Sequence, residues 1–285
     1  MSRNRDRVGG TQNKNVEGPP PAAMQDNSEG FSFVVPTEFV ELPSEGKYYP
    51  EGHPLRGQDS IEIKQMTAKE EDLLTSKTLL KKGVALDRLL QNLIVNKGIN
   101  ASSLLVGDRN ALIIAIRKSG YGSEYSTKIT CPSCRATQDY SFDLNELSLK
   151  ELADLSEAGV TNNNDGTFQL TLPVTGVEVI FGLLTGYDEK NFVQAAENDR
   201  KRKLQERNIT RQLKSVIVSV NGDDSPQAIQ YLADNMPSMD SRHLRMAYDL
   251  ASPNIDMAHH FECAECDYEQ SLEVPLTADF FWPDR

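Results

Sequence analysis

The stretch "TKITCPSCRATQDYSFDL", Thr127–Leu144, is answered near the other end of the chain by "HHFECAECDYEQSLEVPL", which starts at His259. Each holds two cysteines separated by two residues: Cys131 and Cys134 in the first, Cys263 and Cys266 in the second. The 285-residue chain has no other cysteine. A Cys-x-x-Cys turn aims two thiolates at one point, and two such turns supply the four ligands of a tetrahedral zinc site. The flanks agree with each other. Tyr140, Phe142 and Leu144 stand six, eight and ten residues after Cys134; Leu272, Val274 and Leu276 stand at the same offsets from Cys266. Both turns therefore lead into a strand with the same face apolar, the pattern of a zinc ribbon whose halves are separated by 128 residues.

Compact ribbons place their pairs roughly 15–20 residues apart. A longer separation costs little in itself, because loop-closure entropy grows only logarithmically. Reduced cysteines without metal, or redox chemistry, are the alternatives. A redox dithiol needs one pair and normally opens a helix, whereas these turns lead into strands. A closed four-thiolate site leaves no position for water or substrate, so the expected Zn2+ is structural. His259 and His260 read as strand-surface residues rather than competing ligands, and His53 sits in a Gly/Pro-rich turn without an obvious partner.

Outward from the cysteines, the chain reads as α+β: helical segments with short antiparallel strands. Residues 1–30 are rich in Asn, Gly, Pro and Gln, and read as an arm that is disordered or ordered by a partner. Within it, residues 3–14 carry Arg3, Arg5, Arg7 and Lys14 against Asp6 alone, in keeping with a solvated or docking tail more than a nucleic-acid arm. Residues 31–126 form an N-terminal α+β part. It opens strand-like at Phe31–Val35, continues through a turn-filled segment to a strand at "SIEIKQM", and then turns helical. Thr67 and Glu70 have capping-box spacing for a helix ending before Gly83. Leu86, Leu89, Leu90, Leu93 and Ile94 form the stripe of a second helix. "GDRNALIIAIRKSG" predicts a third with Asp108 as its cap, although the run Ala111–Ile116 also fits a buried strand.

Residues 127–145 and 258–285 form the split ribbon, and 146–257 an inserted domain. Within the insertion the sequence predicts a helix over "LNELSLKELADLSEAG", which begins at Leu144, and a β-hairpin over Phe168–Phe181. A long polar helix follows from Asp188 to Arg207, then two short helices at "SPQAIQYLADNM" and "SMDSRHLRMAYDLA", the latter capped by Ser238. Met239, His243, Met246 and Leu250 share one face of that last helix, as core or interface packing.

The net charge of −12 argues against nucleic acid as the main partner. No apolar run approaches the roughly 18 residues that span a bilayer. The first residues lack the apolar core of a secretory signal, so the expected compartment is reducing. No G-x-S-x-G, Walker loop, H-E-x-x-H or G-x-G-x-x-G occurs. No enzyme and no small-molecule substrate are expected.

Two further stretches carry a resemblance. "FVELPSEGKYYPEG", with Leu42, Pro43, Ser44, Gly46 and Tyr49, resembles a signature of the T4-type bacteriophage baseplate proteins. "GDRNALIIAIRKSGYGSEYSTKITCPSC", with Gly107, Asp108, Arg117, Tyr121, Gly122 and Tyr125, is similar to a second. "MTAKEEDLL" and the terminal "FFWP" fit as well, so the resemblance covers residues 31 to 285. It implies a non-enzymatic structural or assembly protein of a contractile tail, in the hub region of the baseplate. Its partners would be other baseplate hub and tail proteins, and its places the virion and, during assembly, the host cytoplasm. Tyr48, Tyr49, Phe280, Phe281 and Trp282 are the candidate partner contacts, unless they close the core over the chain ends. A cytosolic zinc-ribbon regulator binding nucleic acid or the transcription machinery is the alternative function.

Overall fold

A computed structural model describes residues 33–281, apart from 82, 152, 153, 204, 206 and 277. The N-terminal arm and Trp282 lie outside the described residues. Strand β1 (Thr37–Glu41) pairs antiparallel with β2 (Ser60–Lys64), each turning alternate residues inward. Val35 is buried, but Val34 is exposed and regular pairing starts only at Thr37. Helices α1 (Ala68–Thr75), α2 (Lys77–Lys81) and α3 (Ala85–Leu93) follow. Glu70 accepts the Thr67 N–H, as the capping box requires. The expected single helix to Gly83 is nevertheless broken at Ser76, where the Thr75 hydroxyl bonds the carbonyls of Glu71 and Asp72 and the backbone turns extended. In α3, Leu89, Leu90 and Leu93 are buried as the stripe predicts.

The run from Val106 to Tyr121 is helix α4, and the strand alternative is settled against. It is buried nearly all round, and three of its buried residues are charged: Asp108, Arg109 and Arg117. Each is held by a different stretch of chain. Asp108 accepts from the Ser44 N–H (3.0 Å), the Ser44 hydroxyl (2.6 Å) and the Tyr49 hydroxyl (2.7 Å). It is not the cap, since Leu105 occupies that position and Asp108 lies inside the first turn. Arg109 donates to Asp87 (2.8 Å), Glu189 (3.0 Å) and the Ala101 carbonyl (2.9 Å). Arg117 donates to the carbonyls of Gly122, Glu124 and Phe280, at 2.6, 2.8 and 2.8 Å. Two glycines permit the close approaches. A side chain on Gly46 would meet the Leu55 carbonyl oxygen at 2.3 Å, and one on Gly107 would meet that of Pro253 at 1.9 Å.

After α4 come the hairpin β3 (Glu124–Thr130)/β4 (Thr137–Asp143) and the two-residue β5 (Ser148–Leu149). The helix expected from Leu144 does not form among the described residues of that stretch. Asp143 and Asp154 side chains accept backbone N–H groups two residues on, which sets turns, and Ser148–Leu149 is drawn into pairing with Ile255–Asp256. Strands β6 (Val160–Asn162), β7 (Thr167–Thr171) and β8 (Glu178–Gly182) form an antiparallel meander containing the predicted hairpin. Helix α5 runs Gly186–Arg202, where Lys203 turns left-handed, five residues short of Arg207.

Helix α6 (Asn208–Val216) and the fourth sheet strand β9 (Ile217–Val220) were not legible beforehand. Helices α7 (Pro226–Asn235) and α8 (Ser238–Ala251) pack behind the sheet. Ser225 caps α7, but Pro237 rather than Ser238 holds the cap of α8. Asp240 in its first turn instead accepts the N–H groups of Val174 and Thr175. Strand β10 (Ile255–Asp256) pairs with β5, and the hairpin β11 (Ala258–Glu262)/β12 (Glu269–Glu273) completes the set.

One core gathers Val40 to Leu144 together with Val274, Phe280 and Phe281; a second lies within Val160–Ala251. Tyr48 and Leu183 pack against both. No helix among the described residues is long and apolar enough to cross a membrane.

Burial holds the Asp108 carboxyl above the ordinary carboxylate range, and the bonds from Ser44 and Tyr49 pull it part of the way back. The folded chain therefore keeps that proton more tightly than the unfolded one. The stability linked to it is present below the ordinary value and is lost as pH rises through the raised one. Tyr49→Phe removes a bond to the Asp108 carboxyl and leaves the Leu105 N–H, which donates to the same hydroxyl at 3.2 Å, unanswered. The variant should lose about 2–3 kcal/mol at pH ~7 and less at pH ~4, because a carboxyl that has taken up its proton is the weaker acceptor. Urea unfolding of both proteins at the two pH values measures the difference.

Candidate metal centre

The two cysteine turns have the same backbone. The Cys131 N–H donates to the Ala136 carbonyl at 2.8 Å, and the Arg135 N–H donates back to the Cys131 carbonyl at 2.9 Å. The Cys263 N–H donates to Tyr268 at 2.9 Å, and Asp267 donates back to Cys263 at 3.1 Å. The fifth residue of each, Arg135 and Asp267, is left-handed, with φ of 63° and 52°. Each turn tops a two-stranded hairpin, so a pair of thiols projects from each tip.

The hairpins meet side by side. The Tyr140 hydroxyl donates to the His260 carbonyl, and the Gln138 amide bridges the Glu262 carbonyl (3.2 Å) and the Ala264 N–H (3.0 Å). The Tyr140 ring lies 5.5 Å from Phe261, and Phe142 lies 5.3 Å from His259. These contacts bring Cys131 within 3.8 Å of Cys266 and Cys134 within 3.7 Å of Cys263, sulfur to sulfur, and all four sulfurs lie within 4.8 Å of one another. A disulfide would need about 2.05 Å, and none of the four is so bonded. Ligands about 2.3 Å from a tetrahedral ion stand roughly 3.8 Å apart, so the donor set has the spacing and the softness for a metal ion.

Cys131 and Cys134 titrate together. Burial raises Cys131, but the N–H groups of Cys134 and Ser133 outweigh it and bring the thiol down to about 7. At Cys134 the Ala136 N–H favours the thiolate, but burial and the neighbouring sulfurs, Cys266 first among them, push it up to about 12. One thiolate forms readily here, and its negative charge opposes the next. A bound dication removes that opposition.

His259 stays outside the sulfur cluster, with its ring against Tyr140 and 3.7 Å from Glu146. His53 does have partners: it stacks on Tyr49 at 4.3 Å, accepts the Leu55 N–H and meets the Ser103 hydroxyl at 2.9 Å. The aromatic candidates divide. Tyr48 is half-buried, 5.6 Å from Phe168. Tyr49, Phe280 and Phe281 are only 1%, 0% and 2% exposed, so they close the core and offer a partner no surface. Met239 and Met246, by contrast, are 70% and 54% exposed, so the stripe on α8 is surface; the core side of that helix is Leu244, Ala247 and Ala251. The residues that sequence reasoning missed are Gln138 and Tyr140, the bridge between hairpins. Their position two residues apart on one strand face was the available signal.

A family model described as "T4 bacteriophage base plate protein" matches residues 35–282. The comparison with curated proteins and the comparison with solved structures each found no match.

In the reduced, metal-free protein the four thiols should react with an alkylating reagent, and one equivalent of zinc or cobalt should protect all four together. The affinity should weaken as pH falls, because binding expels the thiol protons. Mass spectrometry of the alkylated protein reads both. Equal alkylation with and without the ion would remove the centre.

Proposed function

The chain belongs to the family of T4 bacteriophage base plate proteins, and from that footing we propose that it is a non-enzymatic building or assembly component of the baseplate hub. Family membership carries a structural role in the phage tail and contacts with other tail proteins. The hub location, and assembly in the host cytoplasm before incorporation, are our reading. The single observation behind it is the extent of the family match, which takes in both cores and both cysteine turns.

The geometry supports a non-catalytic reading. The polar side chains that dominate the family-like stretches are spent internally: Ser44 and Tyr49 on Asp108, and Arg117 on three carbonyls. Such groups build a rigid joint rather than a reactive cleft. We further propose that the four cysteines hold one structural zinc, favoured by their all-sulfur donor set and closed arrangement. In this reading residues 127–145 and 258–285 form one ribbon, 31–126 the part it closes on, 146–257 an inserted domain, and 1–30 an arm for a partner.

Elemental analysis should give one zinc per chain. Cys131→Ser or Cys263→Ser should abolish it and lower the melting temperature. Cryo-electron microscopy of tails and of baseplate assembly intermediates should show density for the chain at the hub. Density elsewhere in the baseplate, or none at any stage, would overturn the hub assignment.

A further inference from the structure

Helix α5 is 17 residues long and buries only its first, Gly186. Its neighbours are α4, α6 and the turn at Ala101–Ser103. Between α5 and α6 runs a cleft of about 370 Å³, lined by Leu184, Phe192, Val193, Ala196 and Arg211. Val193 is 46% exposed and Ile209, on α6, is 51% exposed. Beyond the cleft the surface is strongly basic. Residues 200–214 carry seven Lys and Arg against one Glu, in a chain of net charge −12. Arg200, Arg202 and Lys203 are exposed and form no ion pair among the described residues. A half-apolar cleft whose lining helix ends in exposed, unpaired cations is an unpartnered face.

The complementary charge is on the same chain. From Ala258 to Leu276 there is no Lys or Arg, and Glu262, Glu265, Asp267, Glu269 and Glu273 are all exposed. At the tip of this hairpin Tyr268 stands between Asp267 and Glu269 in the chain, 36% exposed, its hydroxyl donating to Gln270 at 3.1 Å. An aromatic ring set among carboxylates is what an apolar cleft beside exposed cations accepts. No ion pair among the described residues joins the hairpin to α5 or α6.

We propose that the β11–β12 tip of one molecule docks on the α5–α6 face of a second copy. Tyr268 enters the cleft against Phe192, Val193 and Ala196, and the surrounding carboxylates face Arg200, Arg202 and Lys203. The two surfaces differ, so the contact is heterologous: it closes into a ring if the rotation allows and otherwise extends as a filament. The inference does not rest on the hub assignment, and charge attraction makes it dependent on salt.

Sedimentation velocity on the full-length, metal-loaded chain tests it. At about 0.03 M salt the sedimentation coefficient should rise with concentration, and at about 0.5 M it should fall to the monomer value. Arg200→Glu, Arg202→Glu and Lys203→Glu together should abolish association, and so should Glu262→Lys, Glu269→Lys and Glu273→Lys together. Mixing the two reversed proteins should restore it, because each supplies the surface that matches the other. Tyr268→Ala should weaken association about tenfold, with metal content unchanged. A wild-type chain that stays monomeric at low salt, a reversed variant that associates as wild type does, or a mixture that does not recover would each overturn the proposal. Loss of association on deleting residues 1–30, with the α5 reversal silent, would assign the acidic tip to the N-terminal arm and overturn it equally.

Discussion

A buried helix that carries charge sets the terms for everything around it. Taking an isolated ion out of water costs several kcal/mol even after relaxation, so Asp108, Arg109 and Arg117 tolerate burial only with their partners in place. Those partners are scattered: the loop at Ser44–Tyr49, the helices bearing Asp87 and Glu189, and the carbonyls of Gly122, Glu124 and Phe280. Helix α4 cannot be buried before these segments arrive. The family-like stretches at 39–52 and 107–134 are thus two sides of one joint. Gly107 admits the backbone of Pro253 while its neighbour Asp108 grips the loop.

The same logic explains how the chain tolerates leaving its first core for a hundred residues. The departing segment at Ser148–Leu149 pairs with the returning one at Ile255–Asp256, and the Lys150 N–H donates to the Asn254 carbonyl at 2.9 Å. Asn110 on α4 touches Asn254 as well. Exit and entry are therefore neighbours, and the segment between them closes a loop whose ends are already pinned. Immediately beyond this stitch lie the two cysteine hairpins, so their meeting needs no long search.

What the sequence displayed was periodicity and spacing: the α3 stripe, the hairpin alternation at 168–181, and the matching offsets after Cys134 and Cys266. These are local or self-similar signals. What it hid were choices made by distant partners. Asp108 opens an apolar helical run and looks like a cap; only the arrival of Ser44 and Tyr49 shows that it lies inside the helix. "LNELSLKELADLSEAG" has helical composition, yet strand pairing with 255–256 and two aspartate turns override it. Tyr49 and Phe280 look like surface anchors because their neighbours are Pro, Gly and polar, and a loop can fold its aromatics inward as readily as present them. Helix α6 and β9 escaped because the helix runs into the strand at Ile217 with no Gly or Pro to mark the change of period.

The cysteine module has a weakness that bears on what the four sulfurs are for. Its own core is three buried residues, Cys131, Phe261 and Cys263, with Ile129, Tyr140 and Leu272 only partly covered. Each half is a two-stranded hairpin, a unit that is marginal in water by itself, and few side-chain bonds cross between the halves. Yet the sulfurs are drawn together, in two turns that share the same pair of backbone bonds. Four clustered thiols contribute little cohesion of their own, because S–H groups are weak donors and weak acceptors. A bound ion would supply the strongest contact in the module, since metal affinity at such a site is folding free energy. The smallness of this core is thus an argument for the metal that owes nothing to the Cys-x-x-Cys motif.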